Sequence, residues 1–128
     1  MGQRLLQRGF FPDFIMSSPA VRTQRTAEIY ADILGYPSED ISYNQQLAAA
    51  SWPQLLTAIH QVDDRYRRIF LVGHNPECTS LANALGGLTL RNIPTAGMVA
   101  LSFACNSWKE LHEQGGLLLF FDFPKNPF

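Results

Sequence analysis

"IFLVGHNPE", residues 69–77, sets four apolar residues, a glycine and a histidine in one line. A short apolar run bounded by turn residues suits a strand buried on both faces, the pattern of a parallel sheet. Gly73 then leaves little bulk around the backbone, so His74 sits at the strand's carboxyl end. Imidazole as a group changes protonation close to neutral pH, which fits it for work as nucleophile, acid or base. The other reading is a loop histidine bonded to nearby backbone. A functional histidine in that position needs a partner.

Working outward, "FPDFIMSS" is a second short apolar run, bounded by Pro12 and Ser17. A helix follows at once. Ser18 suits its N-cap and Pro19 its first position, while Ala27, Ile29, Tyr30, Ile33 and Leu34 lead to a stop at Gly35. Upstream, "MGQRLLQRG" reads as a helix without an N-cap that ends at Gly9. Beyond the turn-rich "GYPSEDISYNQQ", Ser51 opens a helix carrying Leu55, Leu56, Ile59 and Val62. A short helix is expected from Thr79 to Leu85, ending at Gly86-Gly87, and the strands "GMVALSF" and "GLLLFFDF" close the chain.

Strands alternating with helices point to an α/β sheet with helices on its faces. In such sheets, ligands bind beyond the carboxyl ends of the strands. Both "SSPAVR" and "GHNPE" fall at that edge.

The composition limits the partners. At 128 residues with 46% apolar and 16% charged side chains, the chain is one domain with an ordinary globular balance. A formal charge of -1 offers no basic field for nucleic acid or an anionic membrane, so any bound anion needs a local site. Cys78 and Cys105 are far apart and lack metal-ligand spacing, which favours a reducing, cytoplasmic setting. No Walker-type loop, GxSxG elbow or HExxH motif occurs, so neither a metal nor another cofactor is expected.

Arg22 lies three residues after Pro19, in the first turn of its helix. Exposed backbone N–H groups and the helix dipole favour an anion there, and a guanidinium adds a fork that grips two phosphate oxygens. Its alternative is a solvated surface arginine. Arg25, His60 and His112 read as surface groups, Trp52 and Trp108 as core or rim, and "DDRYRR" as a solvated turn.

Taken together, "PDFIMSSPAVRTQRTAEIYADILG", "LVGHNP" and "IPTAGMVALSF" resemble the SixA-type phosphohistidine phosphatases of the histidine phosphatase superfamily. The likeness runs along essentially the whole chain, including "SW" before the last strand and "FPK" near the end. It implies the phosphoglycerate mutase-like fold, a three-layer α/β sandwich whose mostly parallel central sheet has helices on both faces. It implies a phosphatase acting through a phosphohistidine intermediate on a phosphorylated protein or a small phosphoester. By resemblance, Arg22 holds phosphate, His74 is the second histidine of the catalytic pocket, and Asn75 and Thr95 line it.

One motif departs from the family. Its nucleophilic histidine follows an arginine, as Arg-His-Gly or Arg-His-Ala, and none of the three histidines here does. The resemblance places that motif ahead of the first helix, in a strand, loop and helix front of roughly 30 to 40 residues. The expectation is therefore an N-terminally truncated histidine phosphatase domain, with a non-catalytic phosphate-binding module or an inactive fragment as the alternatives.

Overall fold

Phe14–Ser17 forms the first strand, β1, Ser42–Tyr43 a two-residue β2, and Ile69–Val72 the third, β3. The computed structural model describes residues 2–124, so Lys125 of the "FPK" stretch lies outside the described residues. These fall into two compact units, one of residues 2–49 and 65–74, the other of 50–64 and 75–124.

In the first unit the strands are parallel in the order β2-β1-β3. β1 lies in the middle, which fits its apolar run: Ile15 is 0% exposed and Met16 3%. β3 pairs with β1 from Phe14↔Ile69 to Ser17↔Val72. Full burial of β3 was expected, yet only Phe70 is buried while Ile69, Leu71 and Val72 are half-buried. The physical reason is its place at the edge of the sheet, with β1 on one side and no further strand among the described residues.

The "DDRYRR" run is exposed apart from half-buried Tyr66, as expected of a solvated turn, and its end is also tied to the sheet. Asp13 accepts from the backbone N–H groups of Arg67 and Arg68 at 2.9 and 3.1 Å, which ties the entrance of β3 to that of β1. Tyr66 stacks on Phe14 with centroids 4.8 Å apart, and the Arg68 guanidinium lies over the Phe10 ring.

Helix α1, Gly2–Arg8, stops at Gly9, whose φ of 68° places it in the left-handed region that glycine occupies without strain. Of its two leucines, Leu5 is fully buried and Leu6 exposed. Helix α2, Val21–Leu34, ends as expected at left-handed Gly35, whose N–H reaches the Ala31 carbonyl. Its start is a correction: Ala20, not Ser18, occupies the cap position, and the helix begins two residues beyond Pro19. Ala27, Tyr30, Ala31 and Leu34 form the buried face, while Ile29 points to solvent. Tyr30 meets Phe70 of β3 edge-on.

The second unit holds α3, Trp52–His60, and α4, Glu77–Gly86, together with β4, Met98–Phe103, and β5, Gly116–Asp122. Ser51 opens α3 as expected, its N–H donating to Gln54 Oε1 at 2.8 Å in a capping box. Leu55 and Ile59 are buried, while Leu56 is half-buried and Val62 lies past the helix end. α4 starts two residues earlier than expected and stops at Gly87. β4 and β5 pair antiparallel with each other and, among the described residues, with no other strand. α4 packs on both of them and on α3. The architecture is thus mixed α/β, with a parallel three-stranded sheet and four helices.

Candidate functional site

The parallel register of β1 and β3 decides what meets beyond their carboxyl ends. Ser17 stands opposite Val72, and the Ser18 N–H continues the ladder by donating to the Val72 carbonyl at 3.0 Å. Two residues further, His74 turns back so that Nε2 lies 2.8 Å from Ser18 Oγ. Ser18 itself is fully buried. Its carbonyl accepts from Ser17 Oγ at 2.9 Å and from Thr23 Oγ1 at 2.8 Å, so strand end and helix start hold the residue from both sides.

Arg22 is the second residue of α2, four positions past Ser18. Its side chain is exposed and has no protein partner among the described residues. The first intrahelical bond near it is Gln24 N–H to the Ala20 carbonyl at 2.8 Å, so the amides of residues 21–23 stand ahead of the helix ladder. Such amides, with the dipole, stabilise negative charge. His74 and Arg22 are therefore carried by the same unit at the same strand ends, one by the turn after β3 and one by the helix after β1.

Asn75 and Thr95 belong to the second unit. Asn75 Oδ1 accepts from the N–H and hydroxyl of Thr79 at 3.3 and 2.9 Å, and its Nδ2 donates to the Ile93 carbonyl at 2.9 Å. Thr79 Oγ1 in turn accepts from the Ile93 N–H at 3.0 Å. This network joins the start of α4 to the loop that carries Thr95, two residues beyond Ile93. Thr95 is exposed, in a turn where Gly97 N–H reaches the Pro94 carbonyl at 2.8 Å. Space decides the glycine there: a Cβ on Gly97 would lie 2.7 Å from that carbonyl oxygen. Asn75 thus has its oxygen and one amide hydrogen committed to protein groups, and its second amide hydrogen has no partner among the described residues.

His60, expected at the surface, is half-buried with Nε2 2.8 Å from the Leu111 carbonyl. A carbonyl only accepts, so Nε2 carries the proton and the ring is structural. His112 is exposed as expected, and Trp52 and Trp108 are half-buried. Glu77 begins α4, where a carboxylate complements the helix dipole. Sequence reasoning missed the contact role of Ser18. The only local signal was its serine type, which reads equally well as an N-cap.

No protein-family profile matches the sequence, and no curated protein does. Solved structures do match. A protein assigned as the phosphohistidine phosphatase SixA of Agrobacterium tumefaciens superposes with a TM-score of 0.75 at 23% identity, over 96% of this chain and 75% of that one. A second, assigned as SixA of Nakamurella multipartitia, gives 0.75 at 20% identity, over 98% of this chain and 78% of that one. The chain has the fold of the SixA-type histidine phosphatases.

Proposed function

We propose that this domain binds the phosphoryl group of a phosphorylated protein or small phosphoester at the carboxyl ends of β1 and β3, and that it serves a phosphatase of the histidine type. The observation that carries the reading is the placement of an arginine, without a side-chain partner among the described residues, at a helix N-terminus beside the strand ends that hold His74. Phosphoryl transfer has little covalent chemistry for a protein to supply beyond a nucleophile, so positioned cations and N–H donors around the equatorial oxygens do most of the work. Arg22 supplies the charged fork, and the α2 amides and His74 supply further donors. The SixA neighbours lend support through their fold. Cys78 and Cys105 form no disulfide among the described residues, which suits a reducing cytoplasmic setting.

A specific observation favours a second reading, a phosphate-binding module without turnover. His60 and His112 are bonded to backbone carbonyls, and His74 follows glycine rather than arginine. No histidine here matches the family's nucleophile. Removing a nucleophile leaves only residual catalysis, with losses on the order of a millionfold in well-studied hydrolases. These 128 residues alone are therefore expected to bind inorganic phosphate without hydrolysing an aryl phosphate. Turnover abolished by His74→Ala would contradict that. The reading frame ahead of Met1 separates the two readings: codons for Arg-His-Gly or Arg-His-Ala support the phosphatase, and an immediate stop codon supports the module.

A further inference from the structure

Ser18 Oγ has two partners among the described residues, the Ala20 N–H at 3.3 Å and His74 Nε2 at 2.8 Å. The amide can only donate, so it leaves the hydroxyl proton of Ser18 in need of an acceptor. Nε2 is the acceptor in reach. If Nε2 instead carried the proton, the hydroxyl hydrogen of a fully buried serine would be unpaired, with its desolvation uncompensated.

We infer that Ser18 is a positioning residue: its hydroxyl donates to His74 Nε2 and holds the neutral imidazole as the Nδ1–H tautomer, so that Nδ1 presents an N–H donor to a phosphoryl oxygen. Nδ1 has no protein partner among the described residues. A phosphoryl oxygen accepts hydrogen bonds, and the opposite tautomer would turn a lone pair toward it. The placement is rigid because the Ser18 backbone is held at its N–H by Val72 and at its carbonyl by Ser17 and Thr23. Fixing one ring nitrogen by hydrogen bonding at the other is how proteins set a histidine's role. The use of the Nδ1–H donor rests on the proposed phosphate site; the tautomer itself does not.

The test is a long-range proton–nitrogen correlation spectrum of the histidine rings in the full chain, with the imidazoles neutral and phosphate absent. Expected is a protonated Nδ1 and an unprotonated Nε2 at His74, against the reverse pattern at His60, which donates from Nε2 to Leu111. Ser18→Ala should release His74 to the Nε2–H form preferred in water, and Ser18→Thr, which keeps the hydroxyl, should retain Nδ1–H. An Nε2–H form in the wild-type chain overturns the inference, and that spectrum decides even if Ser18→Ala fails to fold. So does an unchanged tautomer in folded Ser18→Ala. Titration with inorganic phosphate is the second arm: about three- to tenfold weaker binding by Ser18→Ala is expected, equivalent to a modest neutral hydrogen bond. A wild-type chain with the expected tautomer and no phosphate binding would overturn the phosphate reading and uphold the tautomer.

Discussion

His74 Nε2 and Ser18 Oγ lie 2.8 Å apart although 56 residues separate them in the chain. The contact follows from one element of register, the parallel pairing of Ser17 with Val72, because the next residues on each strand leave the sheet together. The same edge starts α2, so a single pairing decision brings Arg22 to the strand ends that carry His74. Backbone pairing thereby sets the His74–Ser18 contact and starts the helix of Arg22 at the same edge.

Asn75→Ala should destabilise the second unit. It removes the acceptor of the Thr79 hydroxyl, which is 4% exposed, and the donor to Ile93. A buried hydroxyl left without its acceptor costs about 1–3 kcal/mol, which urea unfolding would read directly. Unchanged stability would show that the network does not hold the loop.

Leu5→Ala should cost about 2–5 kcal/mol, the range for a fully enclosed leucine. Leu5 is 0% exposed on α1, so the truncation leaves a cavity. Leu6→Ala, at an exposed position on the same helix, should change stability by no more than about 0.5 kcal/mol. Equal effects at both positions would contradict the observed packing of α1.

Stability should fall in alkali, and Tyr30, a buried phenol, is one contributor. Burial raises its pKa above the ordinary 10.0. In the unfolded chain the phenol ionises at the ordinary value, so the stabilising proton is fully held below about pH 10.0 and its contribution is lost as pH rises through the folded value. Tyr36 and Tyr43 shift the same way, with burial again the leading cause. Tyr30→Phe should flatten the alkaline decline in a denaturant series measured at increasing pH. An equally steep decline in that variant would assign it to other groups.

Much of the fold was legible because hydrophobic runs and glycine stops are local signals. Residues 14–17 and 69–72 read as strands on composition, and Gly9, Gly35 and Gly87 ended helices where left-handed backbone was needed. What failed depended on distant partners. Ser18 has the chemistry of an N-cap, yet its hydroxyl is taken by a histidine from another strand end, and the helix start moves to Val21. His60 lies beside a charged loop in sequence, yet its acceptor is 51 residues away. β2 was hidden because two residues carry no periodicity, and pairing with β1 alone makes Ser42–Tyr43 a strand. Arg22 and His74 were visible as residue types at strand ends, whereas the resemblance supplied the joint role proposed for them.

The central claim is a phosphate site built from Arg22 and His74. It is tested most directly by titrating inorganic phosphate into the chain and into Arg22→Ala, His74→Ala and the double variant. Charge-assisted bonds of about 1.5–3 kcal/mol predict affinity lower by roughly ten- to 150-fold for Arg22→Ala, with the His74 ring resonances of the wild-type chain shifting on binding. The two single losses should not add, because groups gripping one ligand are coupled. Phosphate affinity unchanged in Arg22→Ala, with the His74 resonances unmoved in the wild-type chain, would contradict the account.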